Sequence, residues 1–233
     1  MKSRIIFSLL CFIIFGQIAY SQPGRFQLGV LGGPNISSYT GSDPYVEYSA
    51  VIGYSLASTV QYNFSAKFSL VSGLGYDKKG NKSSVKSQFR DWYGDTELQT
   101  DVSYMTLPLM LRYSFGKGKL KGFANLGGYL GFLLKTKWYE YEADPNSGQV
   151  AKNEKKFEQM DLGVSLGLGL GYSITKRLNL TFEIRDSYGV YYLNTKSTGY
   201  YYPNQKTKMP KSELNSINFL IGLNMKMGSL KSK

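Results

Sequence analysis

The sequence predicts an all-β protein, an eight-stranded antiparallel up-and-down transmembrane β-barrel with short periplasmic turns and long extracellular loops. Three observations predict this fold. Apolar residues alternate with small or polar residues in eight segments, the connectors between these segments are alternately long and short, and beyond the N-terminal region no segment has the unbroken apolar length of a membrane helix. A chain that crosses a membrane without such helices must cross it with strands.

The clearest segment reads LGVSLGLGLGYS over Leu162–Ser173. Its even positions are bulky and apolar, and its odd positions are Gly or Ser. A period of two indicates a strand whose two faces meet different surroundings. Lys, Glu and Thr are usual on a water-facing side, whereas a bare face of Gly and Ser suits a crowded barrel lumen and a Leu face suits lipid.

The eight segments are mostly about 10–13 residues long, close to the length of a tilted strand that crosses a bilayer. They are Arg25–Ile36, Ala50–Tyr62, Lys67–Asp77, Met105–Phe115, Leu120–Lys135, Leu162–Ser173, Leu178–Tyr188 and Ser216–Met227.

In the first four segments we expect the larger apolar residues to face lipid. They are Phe26, Leu28, Val30 and Ile36, then Ile52, Tyr54, Leu56, Val60 and Tyr62, then Phe68, Leu70, Leu74 and Tyr76, and finally Met105, Leu107, Leu109, Leu111, Tyr113 and Phe115.

The fifth segment is ambiguous, because Phe123, Tyr129 and Leu133 share a face with Lys121 and Asn125. The seventh and eighth are clearer. Their predicted lipid-facing residues are Leu178, Leu180, Phe182 and Ile184, followed by Ile217, Phe219, Ile221, Leu223, Met225 and Met227.

The connectors sort by length. The long ones are Ser37–Ser49, Lys78–Val102, Trp138–Glu158 and Tyr192–Asn215, and the short ones are Asn63–Ala66, Gly116–Lys119 and Thr175–Arg177. Strict alternation places tight turns at one end of the barrel and large loops at the other, as in outer-membrane barrels. A soluble barrel such as a lipocalin is the alternative, but its loops need not sort by side.

Aromatic residues bunch near both ends of the segments, where we expect two girdles at the level of the lipid headgroups. Ordinary enrichment of Tyr in strands is the alternative explanation. The proposed girdles contain Tyr62, Phe68, Tyr113, Phe115 and Tyr172 near the short turns, and Tyr76, Trp138, Tyr139 and Tyr188 at the other end.

Residues 1–21 have the pattern of a secretory signal peptide, with cleavage expected before Gln22, and residues 22–233 then form one barrel domain. Lys2 and Arg4 precede an apolar run that is too short for a spanning helix, although an uncleaved anchor is the alternative. Cleavage leaves no cysteine. It also leaves 26 basic and 16 acidic residues, a net charge of +10. For an exported chain this charge favours an anionic lipid surface over nucleic acid.

Five charged residues are expected inside the barrel. Arg112, Glu183, Arg185 and Lys226 fall on lumen-facing positions, with Asp77 nearer the outer rim. Buried charges must pair, so we predict a structural network of ion pairs that fills the lumen. The alternative is a polar path for a small solute.

The loops offer one candidate contact surface, formed by Tyr200, Tyr201 and Tyr202 beside Lys206 and Lys208. Basic groups next to aromatic rings could contact lipopolysaccharide phosphates or a protein partner. The chain contains no histidine, and its one cysteine, Cys11, lies in the signal, so histidine-based catalysis is excluded. We expect no catalytic, cofactor or metal site and no enzymatic activity.

The chain resembles the PorT-type outer-membrane β-barrel family. The resemblance covers essentially the whole mature chain and rests on Gly29–Ser37, on Tyr104–Tyr113 with its internal Pro108, on Gly127–Lys135 and on the glycine-alternating sixth segment. It implies an eight-stranded barrel of unassigned biochemical role.

Together these observations predict an integral protein of the bacterial outer membrane with a side-chain-filled lumen. We expect it to act as a membrane anchor, as a surface interaction protein or as an assembly accessory. The alternative is a narrow conduit or a binder for a small solute. A soluble ligand-binding barrel is less favoured. The expected partners are outer-membrane lipid, lipopolysaccharide and possible proteins at the outer loops, with no nucleic acid, for a chain that is monomeric in the membrane.

Overall fold

A computed structural model describes residues 25–40, 46–85, 97–141, 160–190, 198–202, 205–208 and 213–227. The strands within these ranges are β1 Phe26–Thr40, β2 Val46–Asn63, β3 Phe68–Val85, β4 Glu97–Phe115, β5 Leu120–Tyr141, β6 Met160–Ser173, β7 Leu178–Gly189, β8 Thr198–Tyr202, β9 Gln205–Lys208 and β10 Glu213–Lys226.

Eight of these strands form one closed antiparallel barrel in the order β1-β10-β7-β6-β5-β4-β3-β2. The first and last barrel strands close the ring, with pairing that runs from Gln27 opposite Lys226 to Thr40 opposite Glu213. Strands β8 and β9 pair only with each other and form a hairpin within the last long connector. The predicted eight-stranded fold is confirmed.

Three tight turns of four residues join β2 to β3, β4 to β5 and β6 to β7 at one end, here called the turn end. Two of them share a local structure, because the Ser65 and Thr175 hydroxyls accept hydrogen bonds from backbone N–H groups two and three residues later. The middle turn instead contains Gly116 and Gly118, whose φ values are +93° and +81°. Only glycine adopts this conformation without strain. The strand ends that the longer connectors join lie at the opposite end, here called the loop end, as predicted.

Five strands, β1 to β5, extend at least four residues further toward the loop end than predicted. The connector predicted over Lys78–Val102 is wrong at both of its ends, since β3 continues to Val85 and β4 begins at Glu97. The predicted connector Ser37–Ser49 shortens to residues 41–45, and β5 continues to Tyr141. Apolar alternation reports contact with lipid on one face. A strand that continues into water loses the alternation while it keeps its hydrogen bonds.

The extended part of β3 and β4 is joined by charged pairs that the sequence assigned to a loop. Lys78 Nζ lies 2.9 Å from the Asp101 carboxylate, and Lys82 Nζ lies 3.6 Å from the Glu97 carboxylate. The two lysines are four residues apart on β3, and each contacts its acid on β4 diagonally across the pair of strands, so these contacts join the strands beyond the apolar zone.

The barrel is apolar outside and polar inside. Ile52, Leu126 and Ile221 are 76%, 63% and 61% exposed, while Asn35, Asn125 and Asp161 are almost fully buried. The outward faces of all eight barrel strands form a continuous apolar belt, far larger than the exposed patches of soluble proteins. This belt is the surface expected of a barrel in contact with lipid, and it matches the predicted lipid-facing positions.

Aromatic rings form a contiguous band on the outer surface near the turn end. Phe26 packs against Tyr62 with ring centroids 4.9 Å apart, and Phe68 packs against Tyr113 at 5.2 Å. Phe64 and Phe115 extend the band from Tyr62 and Tyr113. At the other end, Tyr54 packs against Tyr76 at 5.9 Å. The side chains of Trp138 and Tyr139 lie outside the described residues.

Candidate functional site in the lumen

The centre of the lumen contains a buried charge network around Glu183. Arg185 Nε donates to Glu183 Oε1 at 2.8 Å, and Arg112 Nη2 lies 3.7 Å from Glu183 Oε2. The side chains of Arg112, Glu183 and Arg185 are only 10%, 4% and 13% exposed. Of the five predicted lumen charges, the structure brings these three together. Because β4 and β7 are not neighbours in the sheet, the contact between Arg112 and Glu183 crosses the interior.

Neutral groups complete this network. Arg112 Nε donates to Asn125 Oδ1 at 2.8 Å, and its Nη1 donates to Gln61 Oε1 at 2.9 Å. Asn125 Nδ2 in turn donates to Glu183 Oε1 at 2.9 Å. The Arg112 guanidinium also lies 4.0 Å from the centroid of the Phe123 ring, a cation–π contact. We call Gln61, Arg112, Phe123, Asn125, Glu183 and Arg185 the central plug.

Glycines of β6 make room for the plug. A Cβ added at Gly167 would overlap Glu183 Oε1, and one at Gly169 would overlap the ring of Phe123. Closer to the loop end, a Cβ at Gly163 would overlap the ring of Tyr129. The bare face of the Leu162–Ser173 segment is therefore the space into which large side chains of β5 and β7 pack.

A second buried cluster lies between the plug and the loop end, and the sequence analysis missed it. The Tyr129 hydroxyl donates to Asp161 Oδ2 at 3.1 Å, and Lys79 Nζ lies 5.0 Å from the centroid of the Tyr129 ring. Lys79 and Asp161 are 3% and 2% exposed. Lys79 was assigned to a loop, although it continues the lumen-facing phase of Gly75 and Asp77, and that phase is the signal that could have identified it.

An apolar cluster lies in the interior toward the loop end. Val102, Tyr104 and Leu214 are 0%, 0% and 1% exposed, and Tyr39 and Leu133 pack against them. These residues come from β1, β4, β5 and β10, so the cluster joins four strands around the ring. This apolar cluster adjoins the second cluster, since Val102 is the register partner of Lys79.

The described residues line two cavities beside these side chains. The inner one, about 40 Å³, is bordered by Asp77, Lys79, Tyr129 and Arg185. The outer one, about 420 Å³, is bordered by residues of the turns and of the adjoining strand ends, among them Gln61, Arg112, Lys121, Lys176 and Lys226. We call it the turn-end vestibule. Of these two cavities, Arg112 borders the vestibule and Arg185 borders the inner cavity, so the central plug lies between the two cavities.

The remaining predicted site residues lie elsewhere. Asp77 borders the inner cavity and Lys226 the vestibule, and within the described residues neither forms an ion pair with the central plug. The backbone of the predicted contact surface forms the β8–β9 hairpin, with Tyr200 opposite Lys206. The side chains of Tyr200, Tyr201, Tyr202, Lys206 and Lys208 lie outside the described residues.

The described ranges contain no group of three or more His, Cys, Asp or Glu side chains arranged to hold a metal ion. They also contain no helix that is both long and apolar enough to cross a membrane.

The sequence matches the family model described as outer membrane protein beta-barrel domain over residues 15–193. The match covers more than half of the chain and agrees with the closed barrel and its apolar belt. The chain therefore belongs to the outer membrane protein beta-barrel domain family, and its location is the bacterial outer membrane. Among curated proteins, no sequence matches it.

Several solved outer-membrane proteins are similar in structure. Neisserial surface protein A is 12% identical, covering 88% of this chain and 99% of its own, with a TM-score of 0.45. OprG from Pseudomonas aeruginosa is 16% identical, with coverage of 89% and 98% and a TM-score of 0.47. A major outer membrane protein from Thermus thermophilus is 13% identical, with coverage of 86% and 98% and a TM-score of 0.46.

Proposed function

We propose that this protein is a closed, non-enzymatic barrel that anchors its outer loops in the outer membrane and does not conduct solutes. The observation that carries this proposal is the central plug, in which Arg112, Glu183 and Asn125 bond to one another across the lumen. An eight-stranded barrel has an interior just wide enough for side chains to fill.

The other buried side chains support the same conclusion. A solute that entered from the turn end would meet the plug first, and then the pair of Tyr129 and Asp161 together with the apolar cluster around Tyr104. The inner cavity, which Arg185 and Tyr129 both border, measures about 40 Å³. One buried water needs roughly 10–15 Å³ of such volume, so this space suits a few waters and not a metabolite.

Conductance in planar bilayers tests the closed barrel. We expect no stepwise openings from the wild-type chain, and openings from the double variant Arg112→Ala, Glu183→Ala, which removes both sides of the plug. The variant Lys67→Gln, at an exposed turn residue, is the control and should behave as the wild type. Persistent wild-type openings that change on substitution of Arg185 would overturn the proposal in favour of the narrow conduit.

We further propose that the tight turns face the periplasm and the loops face outward, the arrangement of outer-membrane barrels in general. The variant Lys117→Cys, in a tight turn, tests this orientation. Its thiol should resist a membrane-impermeant maleimide in intact cells and react after the cells are opened.

We also propose that residues 1–21 are removed before Gln22. The mass of the mature chain tests this cleavage.

The contact surface proposed for the outer loops is the β8–β9 hairpin. Tyr200, Tyr201 and Tyr202 beside Lys206 and Lys208 would bind lipopolysaccharide phosphates or a protein partner, and the PorT-type resemblance is consistent with a role beside other envelope proteins. Crosslinking in intact cells from position 201, compared with position 117 at the opposite end, tests this. Equal crosslinking from both positions would contradict a specific contact at the loops.

A further inference from the structure

The turn-end vestibule has a one-sided charge. Four charged side chains border it, Arg112, Lys121, Lys176 and Lys226, and all are cations. None of the described acidic residues borders it. Amide and hydroxyl groups of strand ends make up much of the remaining wall, among them Asn179, Thr181 and Asn224. Cations beside neutral hydrogen-bond donors are the groups that bind phosphate and carboxylate oxygens.

The position of these cations argues against a role limited to lipid contact. Lys121 and Lys226 are in phase with Phe123 and Asn224, which also border the vestibule, so both lysines stand on the inner wall of the ring. Lys67 and Lys117 are exposed on the turns and do not border the cavity. The turn end therefore carries lysines of two kinds, some around the cavity and some outside it.

The floor of the vestibule is also cationic. Arg112 is buried there. Its guanidinium pairs with Glu183 at 3.7 Å, but Arg185 shares the same carboxylate at 2.8 Å, so two cations and one anion leave this network with a net charge of +1. In the described part of the chain, Lys121, Lys176 and Lys226 form no ion pair with an acidic side chain. The charges that border the vestibule therefore have one sign, which raises the local positive potential and attracts an anion.

We propose that the turn-end vestibule binds a small multivalent anion of phosphate chemistry. Its volume of about 420 Å³ falls within the usual range of small-molecule sites, roughly 300–1,000 Å³. Arg112 at the floor, Lys121 on β5 and Lys226 on β10 would contact the anion, with Lys176 on the turn between β6 and β7. The site faces the turn end only, so it does not depend on whether the lumen conducts.

Isothermal titration of the full mature chain in an uncharged detergent with inorganic pyrophosphate tests the site. We expect binding that weakens as salt is raised, because screening reduces the attraction between charges. The double variant Lys121→Gln, Lys226→Gln should bind about tenfold or more weakly, since it removes two charged hydrogen-bond donors. The matched double variant Lys67→Gln, Lys117→Gln removes the same charge from the same end and should bind as the wild type.

Further arms distinguish the source of the phosphate. Glycerol phosphate represents a free solute, and bicelles containing phosphatidylglycerol represent a lipid headgroup. The site is supported if Lys121→Gln, Lys226→Gln loses binding to glycerol phosphate or to the bicelles while Lys67→Gln, Lys117→Gln keeps it. The probe whose binding is lost identifies the source of the phosphate. No binding of any probe to the wild type, or equal losses in the two double variants, would overturn it. Unchanged circular dichroism of both variants shows that they fold.

Discussion

The Asn125–Glu183 hydrogen bond passes directly over Gly167. Asn125 is the β5 neighbour of Gly167 in the strand register, and its amide donates to Glu183 Oε1 at 2.9 Å. Glu183 itself is paired with Gly169, so its carboxylate leans along β6 toward Gly167. The absent side chain at position 167 thus allows a contact between two strands that do not pair with each other.

We expect Gly167→Ala to destabilise the barrel by about 1–3 kcal/mol, because the added methyl group forces the buried carboxylate away from its partners. Gly171→Ala, on the same face of the same strand, is the matched control. Its Cβ would lie 3.6 Å from Thr181 Cγ2, an ordinary contact, and its stability should change by less than about 0.5 kcal/mol. Urea unfolding in bicelles, followed by circular dichroism, gives both values, and equal losses would contradict this account.

Glu183→Gln should cost about 3–5 kcal/mol of unfolding free energy, since it leaves two buried guanidinium groups without a countercharge. The control is Glu97→Gln, which breaks the exposed 3.6 Å pair with Lys82 and should cost less than about 1 kcal/mol. The same unfolding assay compares them. A loss for Glu183→Gln no larger than that of the control would show that the plug is not an energetically coupled network.

Tyr129→Phe should cost about 1–3 kcal/mol, because it removes the hydroxyl that donates to the buried Asp161 carboxylate while it preserves the ring. Tyr113→Phe makes the same chemical change on the outer surface, at a residue that is 39% exposed. We expect that change to stay within about 0.5 kcal/mol. Chemical unfolding of the two variants, side by side, measures the difference. An equal effect would mean that the bond to Asp161 contributes nothing.

Leu168→Arg should destabilise the barrel in lipid vesicles by about 2–4 kcal/mol, the cost of a cation on the lipid face at mid-membrane depth. Leu168 is 60% exposed and lies in the middle of β6. Tyr172→Arg, near the turn end of the same face, should cost only about 0–1 kcal/mol because its charge reaches the interface. In a soluble barrel neither change would be costly, so equal, small effects in vesicles would contradict the membrane-spanning assignment.

The sequence predicted the parts of the site that depend on strand phase. Arg112, Glu183 and Arg185 were predicted to face the lumen because each alternates with lipid-facing neighbours, and in the structure their side chains are buried against one another. The same reasoning did not reach Lys79 or Ser37, which were assigned to connectors. Ser37 is buried and its hydroxyl bonds to the backbone of Gly80 in β3. Beyond the apolar zone both strand faces meet polar groups, so the alternation that reveals a strand is lost.

The sequence by itself determined that the chain lies in a lipid bilayer and that it forms a barrel. Both follow from alternation along single strands, a local property that lipid on one face and a narrow lumen on the other require. The tertiary structure alone decided which lumen residues meet. Arg112 and Glu183 lie on strands that do not pair, and only closure of the ring brings their side chains within 3.7 Å. Closure also gathers Lys121, Lys176 and Lys226 around one cavity, since its shape depends on all eight strands at once.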